Sequence, residues 1–131
     1  MIVYIGHRQK NNMAWKDALK ERQNIILATS SKDGNPRAIV VVSLGFVDNK
    51  LLIGACQMRQ SLQNISENNK ISIVAIKDNE YYRVDGIATI YSEGRYLSIA
   101  IERSKPPLPK AAIPINIKEV FDLDKGKKIS I

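Results

Sequence analysis

A small, mainly β domain, an antiparallel barrel carrying short helices, is the architecture this sequence predicts. Three observations carry that expectation. Apolar, β-branched runs recur along most of the chain, about six in all, and Asp, Asn or Gly turn pairs separate them. Helical spacing interrupts only briefly, without the strand–helix alternation that builds an open parallel sheet.

Taken in order, Asn12 to Arg22 sets Trp15, Ala18, Leu19 and Arg22 at helical spacing with Asn12 as N-cap, predicting a short amphipathic helix. Ile25 to Ser31 is an apolar run ending in Lys32-Asp33-Gly34-Asn35-Pro36, where Asp-Gly supplies the positive φ of a tight hairpin turn. Arg37 to Phe46 is rich in β-branched residues and closes at Asp48-Asn49, a pair that tolerates left-handed geometry. Leu51 to Cys56 resumes the apolar pattern and completes a meander.

Between Gln57 and Asn69 the period changes, with Met58, Leu62 and Ile65 four and three residues apart and Asn68-Asn69 as a stop. Ile71 to Ile76 is apolar on both faces, as a buried strand should be, and Asp78-Asn79 turns into a strand from Tyr81 to Ser92. Tyr82, Val84, Gly86, Ala88 and Ile90 share one face of it, and Gly86 permits a bend. After Glu93-Gly94, Tyr96, Leu97, Ala100 and Ile101 predict a helix to Ser104, which Pro106, Pro107 and Pro109 prevent from continuing. From Ile113 the residues Ile115, Ile117, Phe121 and Leu123 alternate against Asn116, Lys118, Val120 and Asp122, with Glu119 as the exception. Asp124-Lys125-Gly126 then turns into a short edge segment ending at Ile131, whose lysines discourage edge-to-edge pairing.

A chain of 131 residues suits a single domain, expected over 1–131 with 1–12 as a flexible or peripheral segment. No apolar run approaches the roughly 20 residues that span a bilayer, and the first ten residues lack a secretory signal, so a cytoplasmic address and no membrane contact are expected. One cysteine, Cys56, and one histidine, His7, provide neither an internal disulfide nor a zinc cluster, and no metal site is expected. Cys56 reads as a small buried hydrophobe. The net charge of +7 favours anionic partners, but lysines and arginines are scattered as on any solvated surface. Binding of single-stranded nucleic acid would want aromatics interleaved with cations. Asp85 interrupts Tyr81, Arg83 and Tyr91, so nucleic acid is not the expected partner.

The informative segment is Gly54-Ala55-Cys56-Gln57-Met58-Arg59-Gln60-Ser61, which joins a strand to the start of a helix. A helix N-terminus leaves its first amides unpaired and carries partial positive charge, which makes it a phosphate seat. Arg59 adds a full charge, and Gln60 and Ser61 add donors. An arginine in a first turn opposes the helix dipole unless an anion lies nearby; the other reading is a plain exposed arginine and an ordinary serine. Arg37, after the Asp-Gly turn, either converges on that helix start or faces solvent. The glycines Gly34, Gly45 and Gly54 are too widely spaced for a Walker loop or a dinucleotide fingerprint. Tyr81, Tyr82, Tyr91 and Tyr96 either stack on a ring or pack as half-buried strand residues.

The order of these elements, with Ala28-Thr29-Ser30-Ser31, Asp33-Gly34-Asn35-Pro36-Arg37, Leu51-Leu52-Ile53-Gly54, Leu62-Gln63-Asn64-Ile65 and Val84-Asp85-Gly86-Ile87-Ala88, resembles the FMN-binding split-barrel proteins related to pyridoxamine 5'-phosphate oxidase. The resemblance runs from about Trp15 to Leu123. It implies a six-stranded antiparallel split barrel, FMN as cofactor, with a deazaflavin or haem in some relatives, and a homodimer with the flavin at its interface. The phosphate positions fall on Arg59, Gln60 and Ser61; many relatives carry a lysine where this chain reads Gln60 or Ser61, and Arg59 is expected to supply that charge. The ring would meet the backbone of Val40, Val41 and Val42, with Ile53, Gly54 and Ala55 on the neighbouring strand. The segment Pro109-Lys110-Ala111-Ala112 would cover the partner's flavin, which places Lys110 among the cofactor contacts. An FMN-dependent oxidoreductase with an unknown small-molecule substrate is the function so implied, with a flavin-holding or electron-carrier protein as the alternative.

Overall fold

The chain turns wherever an Asp-Asn or Gly-containing pair makes a left-handed conformation cheap, and those turns set the order of the strands. The computed structural model describes residues 14–131; Asn12 as N-cap, His7 and the expected peripheral segment 1–12 lie outside the described residues. The elements are α1 (Ala14–Ala18), β1 (Asn24–Ser30), β2 (Pro36–Val47), β3 (Lys50–Ala55), α2 (Arg59–Glu67), β4 (Lys70–Lys77), β5 (Glu80–Ala88), α3 (Arg95–Arg103), β6 (Ala111–Asp122) and β7 (Lys127–Ile129). Asp48 and Asn49 take φ of 53° and 62°, and Asp78 and Asn79 take 52° and 65°, the doubly left-handed turn that suits a twisted hairpin.

All strand pairs are antiparallel, in the order β3-β2-β1-β4-β5-β6-β7. A further ladder from Leu51↔Ile115 to Ala55↔Ala111 joins β3 to β6, closing six strands into a barrel and leaving β7 as an appended edge. Inward positions of every wall meet in one core that includes Leu27, Ile53, Ile73, Val84, Ile113 and Val120, all 0% exposed. Trp15 and Leu19 plug one end against Phe46, and α3 packs Ala100 on Leu44 and Leu52 outside the wall.

Four expectations need correction. The first helix stops at Ala18 rather than running to Arg22, because the buried Ser43 hydroxyl donates to the Leu19 carbonyl at 2.6 Å and Arg22 turns the chain with φ 82°. The strand from Tyr81 ends at Ala88; beyond it the Thr89 amide donates to the Pro114 carbonyl at 3.2 Å and Tyr91 pairs in an isolated bridge to Ala112. In β6 the alternation changes phase: Asp85 pairs Glu119 but Gly86 pairs Ile117, so Lys118 is an extra residue. Val120 therefore points into the core, fully buried, while Phe121 and Leu123 face outward. Cys56 is half-buried, not part of the core, and its thiol donates to the Pro107 carbonyl at 3.4 Å.

Candidate functional site

The barrel opens where β2 parts from β3. Their ladder runs from Val47↔Lys50 only as far as Ser43↔Ile53, with a register shift between Ser43 and Phe46. Upstream, Pro36 to Val42 pairs with β1 alone. The Ser43 amide donates to the Gln23 carbonyl on the β1 side, so strand alternation turns the amide and carbonyl of Val40 the other way, into the split. The side chains of Val40 and Val42 are 69% and 44% exposed, unusual for valines in the middle of a strand.

This split is a slot of about 720 Å³. Arg37 to Val42 form one wall, Gly54 and the loop Cys56–Ser61 form the floor, Ser104 to Pro107 close the far side, and Arg22 and Leu44 complete the lining. Arg37 and Val42 are five residues apart on one strand, so that wall of the slot runs for about 17 Å along it.

At one end stands the N-terminus of α2. Its N-cap, Met58, makes no side-chain cap, and no acidic residue occupies the first turn. The first intrahelical bond is from Leu62 N–H to Met58 O, which leaves the amides of Arg59, Gln60 and Ser61 without a partner inside the helix. Ser61 is 2% exposed yet lines the slot. Gln60 also braces the helix, since its Nε2 donates to Asn64 Oδ1 at 2.9 Å and Asn64 Nδ2 donates in turn to Thr29 Oγ1 at 3.1 Å. Both Asn64 and Thr29 are buried, so this relay fixes the helix on β1 and sets the direction of its dipole.

Of the residues singled out from sequence, Arg37, Val40, Val41, Val42, Gly54, Arg59, Gln60 and Ser61 line the slot together. Ile53 and Ala55 do not; they alternate inward and lie in the core at 0% and 2% exposure. Lys110 is exposed and outside the slot, its amide donating to the Ala55 carbonyl at 2.9 Å. Pro109, Ala111 and Ala112 are buried in their own chain, while Leu108 and Lys110 face outward. Among the described tyrosines, Tyr82 is core, with burial raising its hydroxyl pKa, Tyr91 stacks on Tyr96 at 5.2 Å, and none lines the slot.

Sequence reasoning missed Arg22, Ser104 and Lys105, which arrive from two other loops. The left-handed Arg22 offered no local signal, since arginine is not a residue that favours φ above zero. With them the slot has, among the described residues, four basic side chains, Arg22, Arg37, Arg59 and Lys105, and no carboxylate in its lining. Arg83, on the outer face, instead lies over Phe121 at 4.2 Å and beside Asp85 at 3.4 Å. Among the described residues no group of three His, Cys, Asp or Glu side chains is placed to hold a metal ion, and no helix is long and apolar enough to cross a membrane.

A six-stranded antiparallel barrel split beside a helix N-terminus, with a long basic and apolar slot, defines the class of small split barrels. The sequence matches the family described as pyridoxamine 5'-phosphate oxidase over residues 12–124, and the chain belongs to that family. It is 35% identical over 114 residues to an uncharacterised protein of Methanocaldococcus jannaschii, covering 81% of this chain and 76% of that one. Its fold is similar to the Group A Streptococcus protein HupZ, with TM-score 0.78 and 26% identity over 88% of this chain and 95% of the other. It is also similar to a putative pyridoxamine 5'-phosphate oxidase of Lactobacillus delbrueckii, with TM-score 0.70 and 25% identity over 83% and 91% of the two chains. More distant structures of the same fold include an F420 reductase, an FMN-binding protein of Nostoc punctiforme and a haem storage protein of Vibrio cholerae, at 21%, 18% and 15% identity.

Proposed function

We propose that this chain binds FMN in the split and acts as an oxidoreductase on a small molecule. The observation that carries the reading is the lining of the slot: among the described residues, four cations and no carboxylate around a mostly apolar trough that begins at an uncapped helix N-terminus. A flat ring needs an apolar seat and a phosphate needs oriented donors at one end. The donor set fits. The amides of Arg59, Gln60 and Ser61, the Ser61 hydroxyl and the guanidinium groups of Arg59 and Arg37 would hold the phosphate. Val40 and Val42 would lie against the ring, with the Val40 amide and carbonyl available to its polar edge. The volume lies within the usual range for cofactor-sized ligands, about 300–1,000 Å³.

FMN, when bound, supplies hydride or single-electron transfer. The chain's part is to orient it, to exclude water with the Ser104–Pro107 rim, and to balance its negative charge. An electron carrier without a dedicated substrate would use the same seat.

A homodimer accompanies this reading. On the outer sheet face the register sets Val40 opposite Ile26, Ile26 opposite Val74, and Ile76 opposite Tyr81, a continuous apolar strip that begins at the slot. Ile26, Ile76 and Tyr81 remain 36%, 48% and 39% exposed in the single chain. A second copy laid on that strip would cover the open side of the trough.

The test begins with the purified protein, which is expected to be yellow and to release FMN on denaturation. A deazaflavin or haem absorption spectrum would replace FMN, and a colourless protein that refuses added FMN would remove the reading. Changing Arg59→Ala and Ser61→Ala together should weaken FMN by about tenfold or more relative to riboflavin, which lacks the phosphate. Equal losses would show the phosphate seat to be misplaced.

A further inference from the structure

The register shift that opens the barrel leaves Leu44 without a partner on β3, and one side chain takes its carbonyl together with that of Phe46. Arg103 Nη1 donates to the Leu44 carbonyl at 2.9 Å and to the Phe46 carbonyl at 3.3 Å. Gly45 between them has φ 82°, and a Cβ there would lie 3.4 Å from that same Nη1.

Arg103 is the last residue of α3, and the next four residues, Ser104 to Pro107, form the far wall of the slot. Leu44 belongs to β2, the strand of the opposite wall. The chain leaving α3 has little freedom of direction, since the Ser104 hydroxyl donates to Ala100 O at 2.6 Å and its amide to Ile101 O at 3.2 Å. Any displacement of the bulge is thus passed to the rim through one charged group.

We propose that Arg103 is a positioning residue that sets the width of the ring seat by tying the β2 bulge to the Ser104–Pro107 rim, without touching the ligand. Charge-assisted bonds to two carbonyls resist sliding better than apolar packing alone. The effect on a bound flavin rests on the FMN reading; the tie between the two walls does not.

The test compares Arg103→Met and Arg103→Lys with the unaltered protein. In ligand-free samples, the Met variant should speed amide hydrogen exchange together in residues 43–47 and 104–110, and the Lys variant, which keeps a charged donor, should restore most of the protection. In flavin titrations, the Met variant should weaken FMN and riboflavin by the same factor, about tenfold, equivalent to one lost hydrogen bond, again with recovery in the Lys variant. Unchanged exchange in both segments overturns the tie. Raised exchange with unchanged affinity for both flavins overturns the positioning role, as does a loss confined to FMN, which would make Arg103 a phosphate contact. Should the unaltered protein bind neither flavin, the FMN reading fails on its own while the exchange experiment still decides the tie.

Discussion

At Gly86 a strand of the barrel wall lies too close to its neighbour to admit a side chain. A Cβ there would lie 2.6 Å from the Asn116 carbonyl oxygen and 2.9 Å from Ile115 Cγ2. The oxygen belongs to the backbone of a paired strand and cannot rotate aside, so Gly86→Ala should destabilise the fold by about 2–3 kcal/mol, read as a lowered urea midpoint with an unchanged slope. A loss below about 0.5 kcal/mol would show that β6 yields there. The sequence marks this glycine as special but suggests a bend; the cause is close approach beside the bulge at Lys118. Such distinctions set what a sequence reveals residue by residue. Asp48-Asn49 and Asp78-Asn79 are legible because their geometry is local chemistry. The phase change that buries Val120 is visible only as the odd polar Glu119, because its cause lies on the partner strand.

Among the elements, α2 and α3 hold the slot from opposite sides, and each is fixed by polar contacts at one end. The Thr29–Asn64–Gln60 relay is buried, so Asn64→Leu would strand the Thr29 hydroxyl and release Gln60; about 2–3 kcal/mol of stability should go and FMN affinity should fall with it. A chemical denaturation curve paired with a flavin titration checks both, and a stability loss with no change in affinity would separate the relay from the phosphate seat. Helix α3 starts from a different tie, in which Arg95 Nη1 lies 2.5 Å from Asp48 Oδ2 and the Tyr96 hydroxyl donates to the same oxygen at 3.0 Å. The Arg95 hydrogen bond, then that of Tyr96, hold the Asp48 carboxyl below its ordinary value of 3.8. The folded chain therefore binds that proton less readily than the unfolded one. The contribution is complete above the ordinary aspartate range and disappears as pH falls through the lower folded value. Urea midpoints of Asp48→Asn and the unaltered protein should differ by a small constant near neutrality and converge in strong acid, with the difference reduced by salt because the pair is exposed. Glu67, also lowered, by Gln63 and then by the Lys32 amide, acts in the same range in both proteins and cancels in the comparison.

At the scale of the whole molecule, closure and splitting are set by the two edges of β3. One edge keeps β6 from Leu51 to Ala55 and completes the barrel, while the other loses β2 beyond Ile53 and opens the slot. That is why the helix N-terminus and strand wall could be anticipated from sequence while Arg22, Ser104 and Lys105 could not: no local pattern says which distant loops a split will gather. The same geometry predicts the assembly. Burying the strip of Val40, Ile26, Val74 and Ile76 against a second copy removes apolar surface from water on both chains, worth roughly 25 cal/mol per Å² before association entropy is charged against it. Ile26→Lys and Ile76→Lys place charges on outward positions of β1 and β4, where a single chain has no need of apolar side chains. The double variant should keep the circular dichroism of the unaltered protein, sediment as a monomer where the unaltered protein sediments as a dimer, and hold FMN more weakly because the trough loses its cover. Should the unaltered protein sediment as a monomer with FMN bound, the strip has another purpose and one chain suffices for the site.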